Sequence, residues 1–195
     1  VRTLGRGAAL PTAVACALPL VIAVIALRSQ RWYPVLDYAQ IEMRVRDVPT
    51  RDTPLVGLAG RLYGFGHWGS HPGPLAFWAL WPGYQVLGGS AWALQAAAAA
   101  LNVAAIGLAC WIARRRAGPW VTVGMGVALA LLAHGYGLDR LTVPWNPYVP
   151  ILWWGVFLLA VWSVLCDDVR LLPVAVVAGS LCAQTHVRYT GAVAG

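Results

Sequence analysis

The chain has 195 residues, of which 59% are apolar and only 11% charged, and every basic residue is an arginine. Its repeated uncharged runs reach roughly 20 residues, the length that crosses a bilayer as a helix, and they argue against a soluble globular class. The formal charge of +7 sits at the ends of apolar runs and in one polar stretch. No basic run interleaves with stacking aromatics, so nucleic acid is excluded and membrane lipid is the expected partner.

Backbone groups in hydrocarbon need internal partners, so the apolar runs must be helices or the strands of a closed barrel. A barrel alternates with period two, and Ala96-Ala97-Ala98-Ala99-Ala100 does not alternate. The fold class expected is therefore all-α, a polytopic transmembrane bundle of about five spans forming a single domain over residues 1–195. Cys16, Cys110, Cys166 and Cys182 are scattered without a Cys-x-x-Cys pair. That spacing points to neither a zinc knuckle nor a disulfide framework, and they read as small buried hydrophobes.

The first apolar run, residues 8–27, follows Arg2 and Arg6. It is long for a signal sequence and has no small-x-small cleavage site before Arg28. It is read as a first span with its N-terminus in the cytoplasm, kinked at Pro11 and Pro19. Residues 28–90 then form a first extracytoplasmic loop with two juxtamembrane helices. Asp37-Tyr38-Ala39-Gln40 fits a capping box with Asp37 as N-cap, and the same carboxylate is suited to act as a general base at the membrane surface. Glu42 lies roughly 140° further round a helix and forms with Arg46 an i,i+4 pair expected to be solvated.

Further along the loop, Arg44, Arg46 and Arg61 suit either bidentate phosphate binding or snorkelling to head groups. Ser70 is placed as the N-cap of the next helix, which opens through the turn His71-Pro72-Gly73-Pro74. An imidazole adds little to such a turn, so His71 is a candidate for a metal or a phosphate. Residues 74–88 carry Trp78 and Trp81, are short for a span and are interrupted by Pro82-Gly83. They are expected to lie in the interface.

That choice sets the topology. Residues 92–113 then run inward, which puts Arg114-Arg115-Arg116 in the cytoplasm as the positive-inside tendency requires. Residues 120–133 run outward, 134–148 make an outer loop with Pro144, Trp145, Asn146 and Pro147, and 149–165 return inward. The turn 166–170 is cytoplasmic, and 171–187 run outward again. Trp32, Trp92, Trp111, Trp120 and Trp145 sit near span ends as interfacial anchors do. His67, His71, His134 and His186, with Asp37, Glu42, Asp47, Asp52 and Asp139, all fall on the outer side, where a site is to be sought.

In order along the chain come a first span, Asp37-Tyr38-Ala39-Gln40-Ile41-Glu42, Gly60-Arg61, Ser70-His71-Pro72-Gly73-Pro74-Leu75, and an Ala-rich span ending in the arginine triplet. This order resembles the N-terminal portion of the C-type (GT-C) integral membrane glycosyltransferases. The branch it resembles holds the protein O-mannosyltransferases, the aminoarabinose lipid A transferases and the rhizobial galacturonosyl transferases. The resemblance implies a polyprenyl-phosphate sugar donor, Asp37 as catalytic aspartate, and Glu42, Arg61, His71 and Trp78 as substrate-binding residues. Charge on the leaving phosphate would be met by outer-loop arginines or by a divalent ion. Tyr38 stands where the motif has a second acid, Gly73 interrupts its Pro-Pro pair, and fewer spans are present than in a full-length relative. A second expectation from a different class follows from those departures: a truncated, non-catalytic membrane subunit or transporter fragment. The sugar, the acceptor and the oligomeric state are not readable from these residues.

Overall fold

The computed structural model describes residues 7–64 and 66–194, except for the side chains of Arg61, Leu62 and His67. It is mostly helical, with one small hairpin. In chain order the elements are α1 (Ala9–Leu27), α2 (Asp37–Asp47), β1 (Ala59–Gly64), β2 (His67–Ser70), α3 (Leu75–Val86) and α4 (Ala91–Tyr136). They are followed by α5 (Leu138–Thr142), α6 (Pro150–Leu165), a 3-10 turn (Val169–Leu171), α7 (Leu172–Thr185) and α8 (Val187–Ala194). Two of these helices, α1 and α4, are long and apolar enough to cross a membrane.

At 19 residues, α1 is about 28 Å long, close to the thickness of a hydrocarbon core. It is apolar all round: Leu10, Val14, Leu18, Ile22 and Ile25 are exposed, while Ala17, Leu20 and Val24 pack inward. The 46-residue α4 is two helical arms joined at Gly118, whose φ of 83° and ψ of −173° are not helical. Only glycine adopts that conformation without strain, and Pro119 supplies the fixed φ that starts the next arm. Ser90 opens the first arm as its N-cap, with Oγ accepting from the Ala93 N–H at 3.2 Å.

The arms run antiparallel, and α1 packs on both. Near its N-terminal half, Cys16 Sγ meets the carbonyl of Gly126 in the second arm at 3.3 Å. Near its C-terminus, the Val24 carbonyl accepts from Trp92 Nε1 at the start of the first arm, at 2.9 Å. Asn102 Nδ2 of the first arm reaches the Leu141 carbonyl in α5, beyond the end of the second, at 2.7 Å. The buried face of the first arm is largely alanine, Ala96 to Ala99 among them. Small side chains let helices without a hydrophobic driving force between them approach closely. A Cβ at Gly83 of α3 would lie 3.1 Å from that of Ala97.

The arginine triplet meets the turn between α6 and α7 at one end of the bundle. Arg115 holds Asp168 with both nitrogens of a fork, at 2.6 and 2.8 Å, and Arg116 Nη2 donates to the Cys166 carbonyl. The guanidinium of Arg115 keeps the Asp168 carboxyl below its ordinary range. At the opposite end lie α2, the hairpin, α3, α5 and the start of α8.

Several local expectations are corrected. Asp37 is not an N-cap: Leu36 holds that position, no side chain caps α2, and Asp37 is its first helical residue. Leu36 has φ +50°, a conformation that costs a leucine about 1–3 kcal/mol. Ser70 is not an N-cap either, because it ends β2 and α3 starts after Pro74 without a side-chain cap. Pro82-Gly83 does not interrupt α3, which runs through both over 12 residues, about 18 Å and still too short to span. Residues 59–70, expected as loop, pair as an antiparallel hairpin with Tyr63 opposite Trp68 and an irregular register between Ala59 and Tyr63.

Candidate functional site

The polar end of the bundle is assembled from segments far apart in sequence. Asp37 Oδ2 accepts from Trp145 Nε1 at 3.0 Å. Trp145 comes from the loop between α5 and α6, between Pro144 and Pro147, and its carbonyl accepts from the Tyr148 and Val149 N–H groups at 2.8 and 3.0 Å in the turn that leads into α6. Tyr38 packs against Trp145 with 6.2 Å between centroids, and Tyr148 meets the same ring edge-on at 5.0 Å and 83°. A recess of about 230 Å³ lies over Val35, Leu36, Asp37, Tyr38 and Trp145. Trp145 also walls a larger cavity of about 660 Å³ that extends to α8.

His71 reaches the same end through backbone pairing. Its carbonyl accepts from Gly57 N–H at 3.0 Å and its N–H donates to the Leu58 carbonyl at 2.9 Å. Gly57 has no room for a side chain, since a Cβ there would lie 2.7 Å from His71 Cβ and 2.8 Å from its carbonyl oxygen. Two residues on, Gly73 N–H donates to the Gln184 carbonyl at the end of α7, at 3.1 Å. A Cβ at Gly73 would press into the Gln184 side chain. The glycine that breaks the Pro-Pro pattern thus seats the turn on α7.

His71 and His186 lie face to face, centroids 4.8 Å apart and tilted by 35°. His71 Nδ1 accepts from the Val187 N–H at 3.3 Å, and His186 Nδ1 accepts from the Arg188 N–H at 3.2 Å. These are two of the N–H groups that the start of α8 would otherwise leave without a helical partner. A ring nitrogen that accepts carries no proton, so both rings are neutral with the proton on Nε2. Burial lowers the proton affinity of His71, partly offset by the negative charge of Asp37. Burial also lowers that of His186, helped by the neighbouring His71 and Arg188.

The remaining expected site residues are dispersed. Glu42 is buried, not solvated: it pairs with Arg46 at 2.6 Å and lies 2.9 Å from the Tyr84 hydroxyl. That hydroxyl accepts from Arg46 Nε at 2.7 Å and also sits 2.7 Å from the Gly89 carbonyl, so it clamps α2 to α3. Burial raises the Tyr84 phenol above its ordinary range. Trp78 is exposed on α3. Arg61 belongs to β1 by its backbone, and its side chain, like that of His67, lies outside the described residues. His134 lines an apolar groove between α1 and the second arm of α4.

Asp37 and His71 are therefore brought to one end with Trp145, His186, Tyr148 and Arg188, while Glu42 and Trp78 belong to neighbouring surfaces. Trp145 and His186 were not singled out as site residues. The sequence marks Trp145 only as an interfacial anchor in a proline-flanked loop, and His186 only as one of four outer-side histidines. Among the described residues, no three His, Cys, Asp or Glu side chains gather to hold an ion. That donor set does not fit a divalent cation, and no chemical step is assigned to one. Compared with known proteins, the chain matches no family model, no curated protein and no solved structure.

Proposed function

We propose that the chain forms the membrane domain of a glycosyltransferase that moves a sugar from a polyprenyl-phosphate donor to an extracytoplasmic hydroxyl acceptor. In this reading α1, the arms 91–117 and 119–136 of α4, α6 and α7 are five spans. The N-terminus and the Arg114–Arg116 end are cytoplasmic, and α2 and α3 are juxtamembrane helices. The exposed apolar side chains on α1, on the second arm (Val123, Val127, Leu131) and on α7 (Val176, Val177) suit a lipid surround better than water.

The observation that carries the reading is the setting of Asp37. Its carboxylate is oriented by the indole N–H of Trp145 and looks onto a recess that shares the Trp145 wall with a larger cavity. A base oriented by a fixed indole donor and bordered by aromatic rings is suited to take a proton from an acceptor hydroxyl. The freed oxygen pair attacks the anomeric carbon, the bond from that carbon to the phosphate oxygen breaks, and polyprenyl phosphate leaves as the anion. The configuration inverts in this single displacement. The negative charge that develops on the phosphate is met by N–H and guanidinium donors at the same end.

The experiment is a lipid-extract mass measurement on cells deleted for the gene. A glycan lost on deletion should return with the wild-type gene and stay absent with Asp37→Asn at the same membrane level. Full restoration by Asp37→Asn would remove Asp37 as the base.

A further inference from the structure

Away from Asp37, charge is concentrated where the first arm of α4 ends and the turn between α6 and α7 meets it. Arg114, Arg115, Arg116 and Arg170 stand there against two acids, Asp167 and Asp168, which leaves an excess of two positive charges. Asp168 is already engaged: the Arg115 fork holds both its oxygens, and Arg116 Nη1 lies 4.0 Å away. Arg170 adds only its field at the same carboxylate. Arg114 makes no hydrogen bond or ion pair among the described residues. Arg114 Nε and Arg116 Nε are covered by protein without an acceptor. Packing therefore holds both stems in place, and their outer nitrogens are what a ligand can meet.

The rim of this cluster is aromatic and apolar. Arg115 lies over the Trp111 ring at 5.8 Å and Arg116 over the Trp162 ring at 5.3 Å. Trp111, Trp120, Trp162, Leu165, Val169 and Leu172 are all exposed. Tryptophan beside arginine is the composition of the head-group level of a bilayer. The second arm of α4 and α7 both begin at this end, and helix starts add positive potential. Guanidinium groups in excess of their acids select an anion with several oxygens, and a phosphate matches the fork. That phosphate can come from a lipid head group or from solution. The exposed apolar rim favours the lipid, whose acyl chains need such a surface and whose head group suits a basic pocket between spans.

We propose that the Arg114–Arg116 end binds the head group of an anionic phospholipid, with the phosphodiester on Arg114 and Arg116 and the acyl chains along the exposed apolar rim. This lipid is a structural ligand at the end opposite Asp37, and it takes no part in a reaction. The inference rests on the membrane part of the reading above and not on the transfer chemistry.

The test titrates the detergent-solubilised full chain with dioleoyl phosphatidylglycerol, dioleoyl phosphatidylcholine and inorganic phosphate, and reads retained lipid by native mass spectrometry. Phosphatidylglycerol should be retained about tenfold or more tightly than phosphatidylcholine, because two excess charges act on it. Arg114→Gln should weaken that retention about fivefold, the attraction of one basic side chain to an anionic lipid surface. Arg170→Gln, at an exposed position, should weaken it too, and serves as the test if Arg114→Gln does not fold. Arg140→Gln, in α5 at the opposite end, should leave it unchanged. Equal retention of the two lipids would overturn the proposal, as would equal losses from Arg114→Gln and Arg140→Gln. Inorganic phosphate that displaces the lipid at equal concentration would assign the site to a free anion and overturn it as well. A chain that stays soluble without detergent would end the membrane reading and this site together. Specific retention alongside full glycan restoration by Asp37→Asn would remove Asp37 as the base and leave this site standing.

Discussion

At the scale of single residues, two contacts decide how the polar end is built. The first is the indole hydrogen bond to Asp37. Trp145→Phe keeps an aromatic ring against Tyr38 and Tyr148 but removes the donor. A hydrogen bond to a charged group is worth about 1.5–3 kcal/mol, so glycan restoration in deleted cells should fall about tenfold or more. The same loss should lower the melting temperature by several degrees; full glycan restoration by Trp145→Phe at the wild-type membrane level would show that Asp37 does not depend on the indole N–H. The second contact is the seat of the His71 turn. Gly73→Pro removes the N–H that meets the Gln184 carbonyl and should cost about 1 kcal/mol or more. Gly73→Ala keeps that bond and needs only the Gln184 side chain to swing aside. Thermal unfolding of both variants should therefore rank Pro well below Ala; equal stabilities would contradict the role given to the Gly73 N–H.

The elements show which parts of this architecture were legible in the sequence. The apolar runs, the turn at the arginine triplet and the short helix at Leu75–Val86 could be read because their signals are local: hydropathy, charge position and prolines. The hairpin at 59–70 could not, since its strands carry little alternation and are held by each other. The short α5 and α8 were missed because each is too brief to show a helical period. The partners of Asp37 and His71 lie 108 and 116 residues away, and nothing in either local sequence points to them. Capping residues misled for the same reason. Asp37 had the right neighbours for a box, but Trp145 offered its carboxylate another donor.

One prediction belongs to α8. Its first N–H groups are capped by the imidazoles of His71 and His186, which must be neutral to accept. Both rings have their proton affinity lowered in the folded state, His71 against the opposing pull of Asp37, His186 with the help of Arg188. A base with a lowered folded pKa takes protons more readily when unfolded, so stability is lost as pH falls through the unfolded value of 6.5. Protonation also places two positive rings 4.8 Å apart. Amide exchange at Val187–Ala194, measured relative to α7 in the same sample, should rise between pH 7.5 and 5.5. His71→Gln should blunt the rise. Exchange that stays in step with α7 across this range would refute the imidazole latch.

A neighbouring prediction concerns α1. A side chain at Gly126 would collide with the Thr12 methyl and crowd Cys16. Gly126→Leu should separate α1 from the second arm and lower thermal stability clearly, whereas Gly124→Leu, where a Cβ meets nothing, should not. Equal losses from the two would mean that the α1–α4 seam is loose.

For the whole molecule, the separation of chemistry matters most. The triplet Arg114–Arg116 and Asp168 join at one end, while Asp37, His71, Trp145 and His186 gather at the other. Such polarity suits a bundle whose ends face different compartments. The proposed chemistry requires the Asp37 end to be outside, where a lipid-linked sugar and its acceptor meet. The most direct measurement is labelling with a membrane-impermeant thiol reagent, using single cysteines at Ser70, Ser90 and Ala117 after the four native cysteines are replaced. All three positions are exposed in the fold. Intact cells should label Ser70→Cys and Ser90→Cys, and Ala117→Cys only after the membrane is opened. Labelling of Ala117→Cys in intact cells, with Ser90→Cys protected, would put the arginine end outside and contradict the account.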